Sequence, residues 1–150
     1  MPIEMKKGDV VKAFRNGDFN VLAHGCNCSG GFGSGVAKQI GMAYPQVRGA
    51  YLNHYDEGLC RLGEVQIVAG GFGNAIANCF TQEKYGRDGK LYLDYDALGN
   101  CMLYLRSIFS FPDEIGMPKI GCGLAGGEWR KVKKILNEVF DDRTIYVYDL

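Results

Sequence analysis

Val21-Leu22-Ala23-His24, continued through Gly25-Cys26-Asn27-Cys28-Ser29 into Gly30-Gly31-Phe32-Gly33-Ser34-Gly35-Val36, is the stretch that decides the fold. An apolar strand pattern ends at His24, a glycine loop follows, and Gly35 to Ala43 reads as a helix. Such a loop turns successive backbone N–H groups toward one point, and the helix start adds roughly half a positive charge. An anion can therefore be held without a lysine. A Walker A loop would close on Gly-Lys-Ser/Thr, whereas Val36 and Ala37 follow Gly35, so a P-loop ATPase is excluded.

Gly121-Cys122-Gly123-Leu124-Ala125-Gly126-Gly127 repeats the arrangement between a strand over Gly116 to Ile120 and a helix from Glu128 to about Asp141. Gly121, Gly123 and Gly126 match G-x-G-x-x-G, and Asp149 follows near where a dinucleotide fold keeps its ribose-binding acid. That fold needs further strands beyond the acid, and the sequence ends at Leu150, which makes a Rossmann dehydrogenase the lesser reading. A single loop of this kind is equally well read as a tight connection in which glycine supplies positive φ. Two of them, each after a strand and before a helix, point to one cleft at the carboxyl ends of the strands. A diphosphate fits between them.

The remaining chain supports an α/β domain spanning residues 1–150. Further strands are expected over Pro2 to Lys6, Val10 to Phe14, Gly63 to Ala69, Ala75 to Thr81 and Thr144 to Tyr148. Helices are expected over Pro45 to Tyr55, with proline in its first turn, and over Tyr95 to Phe109, with Asp94 as the capping acceptor. Glycine, 22 of 150 residues, is about twice its usual share, in keeping with a backbone that approaches something closely. Seventeen basic and seventeen acidic residues cancel, so no chain-wide field draws in nucleic acid or an anionic membrane. Arg130, Lys131, Lys133 and Lys134 read as a solvated helix face in preference to a binding patch. The six cysteines lack zinc-module spacing and mostly sit in apolar runs. Free thiols, no metal, and a cytoplasmic monomer without membrane segments are expected.

Several blocks resemble the macro domains that bind ADP-ribose: Lys7-Gly8-Asp9-Val10, Leu22 to Asn27, Gly33-Ser34-Gly35-Val36-Ala37, Met117 to Leu124, and Tyr146-Val147-Tyr148. The first and last two look most like the branch containing the terminal ADP-ribose protein glycohydrolase. The resemblance implies a three-layer α-β-α fold around a mixed, mostly parallel sheet of about six strands. It implies that Asp9, with Val10 beside it, accepts from the adenine amino group, that Gly33, Ser34, Gly35 and Val36 cradle one side of the diphosphate, and that Gly121, Cys122, Gly123, Leu124, Ala125 and Gly126 cradle the other. Asn27 would meet the distal ribose, and Leu150 and Tyr148 would line the adenine pocket. No cofactor is implied.

Catalysis is where the sequence departs from these relatives. The glycohydrolase branch uses a lysine and a second-loop aspartate, and the matching positions hold Gln82 or Glu83 and Ala125. Another hydrolase branch places an aspartate where Ala37 stands. Lys84 lies one or two positions from the lysine slot. The ionisable groups left for the distal ribose are Glu83, Lys84 and Asp88, with Asn27 to orient, while His24 reads as a satisfied core histidine. The expected activity is hydrolysis of ADP-ribose 1″-phosphate or of an ADP-ribosylated substrate. The alternatives are a non-catalytic module that recognises ADP-ribosylated proteins, or a polymer reader using Arg130 to Lys134.

Overall fold

The computed structural model describes residues 2–150. In chain order the elements are β1 (Ile3–Lys7), α1 (Val10–Arg15), β2 (Val21–Asn27), α2 (Gly35–Ala43), α3 (Pro45–Asp56), β3 (Val65–Gly71), β4 (Asn74–Gln82), α4 (Tyr95–Ile108), β5 (Ile115–Pro118), α5 (Trp129–Val139) and β6 (Ile145–Asp149). The strands form one sheet in the order β1-β6-β5-β2-β4-β3. Every neighbouring pair is parallel except β3 with β4, which makes the sheet mixed and mostly parallel, as expected.

Helices cover both faces, which gives three layers. Val10, Phe14, Ile40, Val47 and Tyr51 from α1, α2 and α3 pack with Leu22, Ile76 and Phe80 on one side. Leu98, Met102 and Leu105 of α4 and Val132 and Leu136 of α5 pack with Val21, Ala77 and Val147 on the other. In α5 the buried positions 132, 136 and 139 follow the helical repeat, while Arg130 and Lys131 approach Glu128 at 3.8 and 4.0 Å.

Val10 to Phe14 is helix α1, which corrects the strand expected there. The Asp9 carboxylate accepts from Val11 N at 2.9 Å and Lys12 N at 3.2 Å, an N-cap that overrides the β propensity of the two valines. Residues 10, 11, 13 and 14 then fall on one buried stripe. The other elements lie where the sequence reading puts them, with shifted ends. Strand β2 runs on to Asn27, three residues past His24, and β5 stops at Pro118, two residues before Ile120.

The decisive feature is the pair β5 and β2, neighbours in the sheet. Strand β2 feeds α2 on one face and β5 feeds α5 on the other, so the two connections part and leave a crevice above their carboxyl ends. This is the switch point at which open α/β sheets hold ligands.

Candidate functional site

A cavity of about 650 Å³ opens at that crevice, within the range of small-molecule sites. Its walls are the β2–α2 loop, including Gly33, Ser34, Gly35, Val36 and Ala37, and the β5–α5 loop, including Gly121, Gly123, Leu124 and Ala125. A second groove of about 350 Å³ shares Gly35, Val36, Pro118, Lys119 and Gly123 with it and runs over the ends of β1 and β6. The two glycine loops thus stand between a distal chamber and a groove bordered by Asp9.

Backbone amides on both loops are open. Among the described residues the N–H groups of Gly33, Ser34, Gly35, Val36 and Ala37 have no hydrogen-bond acceptor, apart from any bond internal to α2. In the second loop Cys122 N is committed to Lys119 O, Gly126 N to Gly123 O and Gly127 N to Gly121 O. The N–H groups of Gly123, Leu124 and Ala125 are not. Gly33, Gly35, Gly123 and Leu124 are exposed, so these amides are hydrated until a ligand takes the place of the water. Ser34 is the N-cap residue of α2 but makes no capping bond, which leaves the first-turn amides free.

Asn27 lies at the end of β2, 8% exposed, and lines the cavity. Its Oδ1 accepts from Ser29 N at 2.9 Å, Gly31 N at 3.1 Å and the Tyr51 hydroxyl at 2.8 Å, and its Nδ2 donates to Gly31 O at 2.7 Å. The side chain therefore builds the loop and keeps one N–H for a ligand. Tyr51, fully buried on α3, also accepts from Gly30 N at 3.1 Å. Burial pushes its phenol well above the ordinary range, so it stays a neutral donor. The sequence reading missed this residue. The signal was a phenol four positions after Val47 on the apolar stripe of α3, which had to find a polar partner inside the fold.

On the cavity floor His24 is 1% exposed, with its Nε2 2.5 Å from Asn78 Oδ1. Burial lowers its pKa to about 4, against the opposing hydrogen bond, so the ring is neutral at ordinary pH. Lys119 lines both cavities, but its ammonium is paired with the Asp149 carboxylate at 3.0 Å, which holds Asp149 below the usual carboxylate range.

Of the binding residues read from the sequence, Asp9, Val10, Cys122 and Leu150 border the smaller groove, and Gly126 borders neither cavity. Gly126 is buttressing: at φ +75° it lies so close to the 83–94 segment that a Cβ would stand 2.5 Å from Lys90 O. Glu83, Lys84 and Asp88 are exposed and line neither cavity; Gln82, Tyr85, Gly86 and Arg87 from the same segment do. Asp88 accepts from the Tyr92 hydroxyl at 2.8 Å, and this bond, with Lys90 N, holds its carboxyl below the ordinary range. All six cysteines are free thiols, with Cys26, Cys79 and Cys101 buried. No cluster of three or more metal-ligating side chains occurs among the described residues.

Comparison with known proteins agrees with this architecture. The Macro domain family model matches residues 23–136. An uncharacterized 17.5 kDa protein from the tk-vs intergenic region of Enterobacteria phage T4 is 33% identical over 153 residues, covering 99% of this chain and 97% of its own. A protein from Saccharomyces cerevisiae named ADP-ribose 1″-phosphate phosphatase is 25% identical over 176 residues, covering 96% of each. Among solved structures, a protein of unknown function from Bacteroides thetaiotaomicron superposes with a TM-score of 0.88 at 31% identity, over 100% of this chain and 99% of that one. With a match over three quarters of its length and the sheet, switch point and twin loops in place, the chain belongs to the Macro domain family.

Proposed function

We propose that the cleft binds ADP-ribose and that the protein hydrolyses an ADP-ribose derivative at the distal ribose, with ADP-ribose 1″-phosphate as the favoured substrate. The observation that carries the binding reading is the set of open amides on two loops that wall one cavity. Hydrogen bonds to a charged group contribute ~1.5–3 kcal/mol each, so three or four such donors offset much of the association cost and reach micromolar affinity, about −8 kcal/mol. At the groove end, Asp9 uses Oδ1 for its capping bonds. Its Oδ2 is left to accept from an adenine amino group, beside Val10 and Leu150. At the other end the uncommitted Nδ2 proton of Asn27 suits a ribose hydroxyl.

The name of the yeast relative supports the phosphatase reading. Hydrolysis there needs a water and a proton for the ribosyl oxygen as it leaves. His24, neutral and bonded to Asn78, is poorly suited to deliver that proton. Glu83 and Asp88 on the segment after β4 remain the candidates for acid and base, and because neither lines the cavity, each would have to swing in from its rim to act. A lysine adduct through Lys84 is less favoured, because the second-loop aspartate that accompanies such a lysine is replaced by Ala125.

Phosphate release from ADP-ribose 1″-phosphate by wild type and Asn27→Ala, alongside calorimetric titration with ADP-ribose, tests both halves. Release that falls in the variant supports the enzyme. Binding with no release by wild type establishes the alternative, a non-catalytic module for ADP-ribosylated proteins, which the absent lysine and aspartates at Gln82, Ala125 and Ala37 favour. Absence of both refutes the whole reading.

A further inference from the structure

Between β4 and α4 the chain crosses the cleft as a strap, residues 83–94, that touches both glycine loops. On the first loop the Ser29 hydroxyl donates to Glu83 O, the Tyr85 ring lies so close over Gly31 that a Cβ there would stand 2.6 Å away, and Arg87 Nη2 donates to Ser34 Oγ at 3.0 Å. On the second, Tyr92 N and Leu93 N donate to Ala125 O at 2.7 and 3.1 Å. The strap therefore fixes the spacing of the two loops and carries Arg87 to the rim of the space between them.

Two cations line the main cavity, Arg87 and Lys119. Lys119 is neutralised by Asp149, whereas among the described residues no carboxylate lies within 4.0 Å of Arg87. The bond to Ser34 commits one of five guanidinium N–H groups and turns the side chain toward the loop whose amides are open. The Ser34 hydroxyl, bonded to Arg87, makes no bond to α2, where a serine at the N-cap ordinarily binds an amide of its own helix. A planar fork of donors matches phosphate oxygens two at a time, and a diphosphate brings two negative charges to a cleft otherwise equipped with neutral amides.

We propose that Arg87 is a specificity-determining ligand of the diphosphate, closing on it from the strap so that the cleft selects compounds with two linked phosphates. The proposal rests on the ADP-ribose reading but can fail separately from it. Wild type, Arg87→Ala and Arg87→Lys are titrated with ADP-ribose and with inorganic pyrophosphate at low and high salt, and the ligand-free unfolding temperature is recorded for each. The alanine variant is expected to bind both ligands about tenfold more weakly, with a flatter salt response and an unchanged unfolding temperature; lysine regains part of the loss. Equal affinity in wild type and Arg87→Ala, or a loss that is insensitive to salt and not relieved by lysine, overturns the proposal and leaves ADP-ribose binding intact. Pyrophosphate binding that depends on Arg87 without any ADP-ribose binding supports the proposal and removes the ADP-ribose reading. A wild type that binds neither ligand overturns both.

Discussion

Two alanine substitutions three residues apart in the second glycine loop are expected to act in opposite ways. Gly126 has φ +75°, and a Cβ there would stand 2.5 Å from the Lys90 carbonyl oxygen and 3.3 Å from Leu91 Cα. Both neighbours are backbone, so relief requires the strap or the loop to shift and puts at risk the bonds from Tyr92 N and Leu93 N to Ala125 O. The left-handed conformation costs an alanine about 1 kcal/mol, and overpacking adds about 1–3 kcal/mol, giving ~2–4 kcal/mol for Gly126→Ala. In a chain of this size that lowers the unfolding temperature by about 5–15 °C. Gly123 has no atom within 4 Å of its would-be Cβ and no left-handed φ, yet it lines both cavities. Gly123→Ala should therefore keep or slightly raise stability, within about 1 kcal/mol, while its methyl group stands in the cradle and weakens ADP-ribose tenfold or more. Thermal unfolding of the ligand-free proteins and calorimetric titration separate the two effects. A Gly126→Ala protein that melts with wild type, or a Gly123→Ala protein that loses stability but binds normally, would refute the assignment of one glycine to packing and the other to the ligand.

The same separation applies to Asp9, whose carboxylate caps α1. Asp9→Ala should cost about 1 kcal/mol of stability through the lost cap, whereas Asp9→Ser keeps an acceptor for the helix. Both should weaken ADP-ribose, and normal binding by the serine variant would end the adenine assignment. Protonation of His24 gives a pH signature. Its folded pKa of about 4 lies below the ordinary 6.5, so between these values the unfolded chain takes up a proton that the folded chain refuses. Stability should rise with pH across that window and be fully present above it, by about 3 kcal/mol from this one buried residue. Equilibrium denaturation between pH 4 and 7 measures the slope. In His24→Gln, which can still donate to Asn78, the slope should flatten, and an unchanged slope would place the pH dependence elsewhere.

What could be read from the residues, and what could not, divides by the range of the interaction. The glycine loops were legible because their signal is local: an apolar run, a run of glycines and a helical stripe occupy adjacent positions, and their geometry follows from backbone sterics alone. Val10 to Phe14 misled because a five-residue apolar run is compatible with either period, and the deciding group was one carboxylate just outside it, at Asp9. The role of Asn27 was only half legible. Its position at the mouth of β2 could be anticipated, but its amide is held by Ser29, Gly31 and, from 24 residues away, Tyr51. Such a partner is set by how α3 packs on the sheet, which no short window contains. The strap is the extreme case. Residues 83–94 have neither helical nor alternating apolar pattern, and their order comes from contacts with loops about 50 residues before and 35 after in the chain, such as Arg87 with Ser34 and Tyr92 with Ala125. A loop ordered by both walls of a cleft responds to whatever sits between those walls, so this segment is where differences in substrate among chains with the same two glycine loops should be sought.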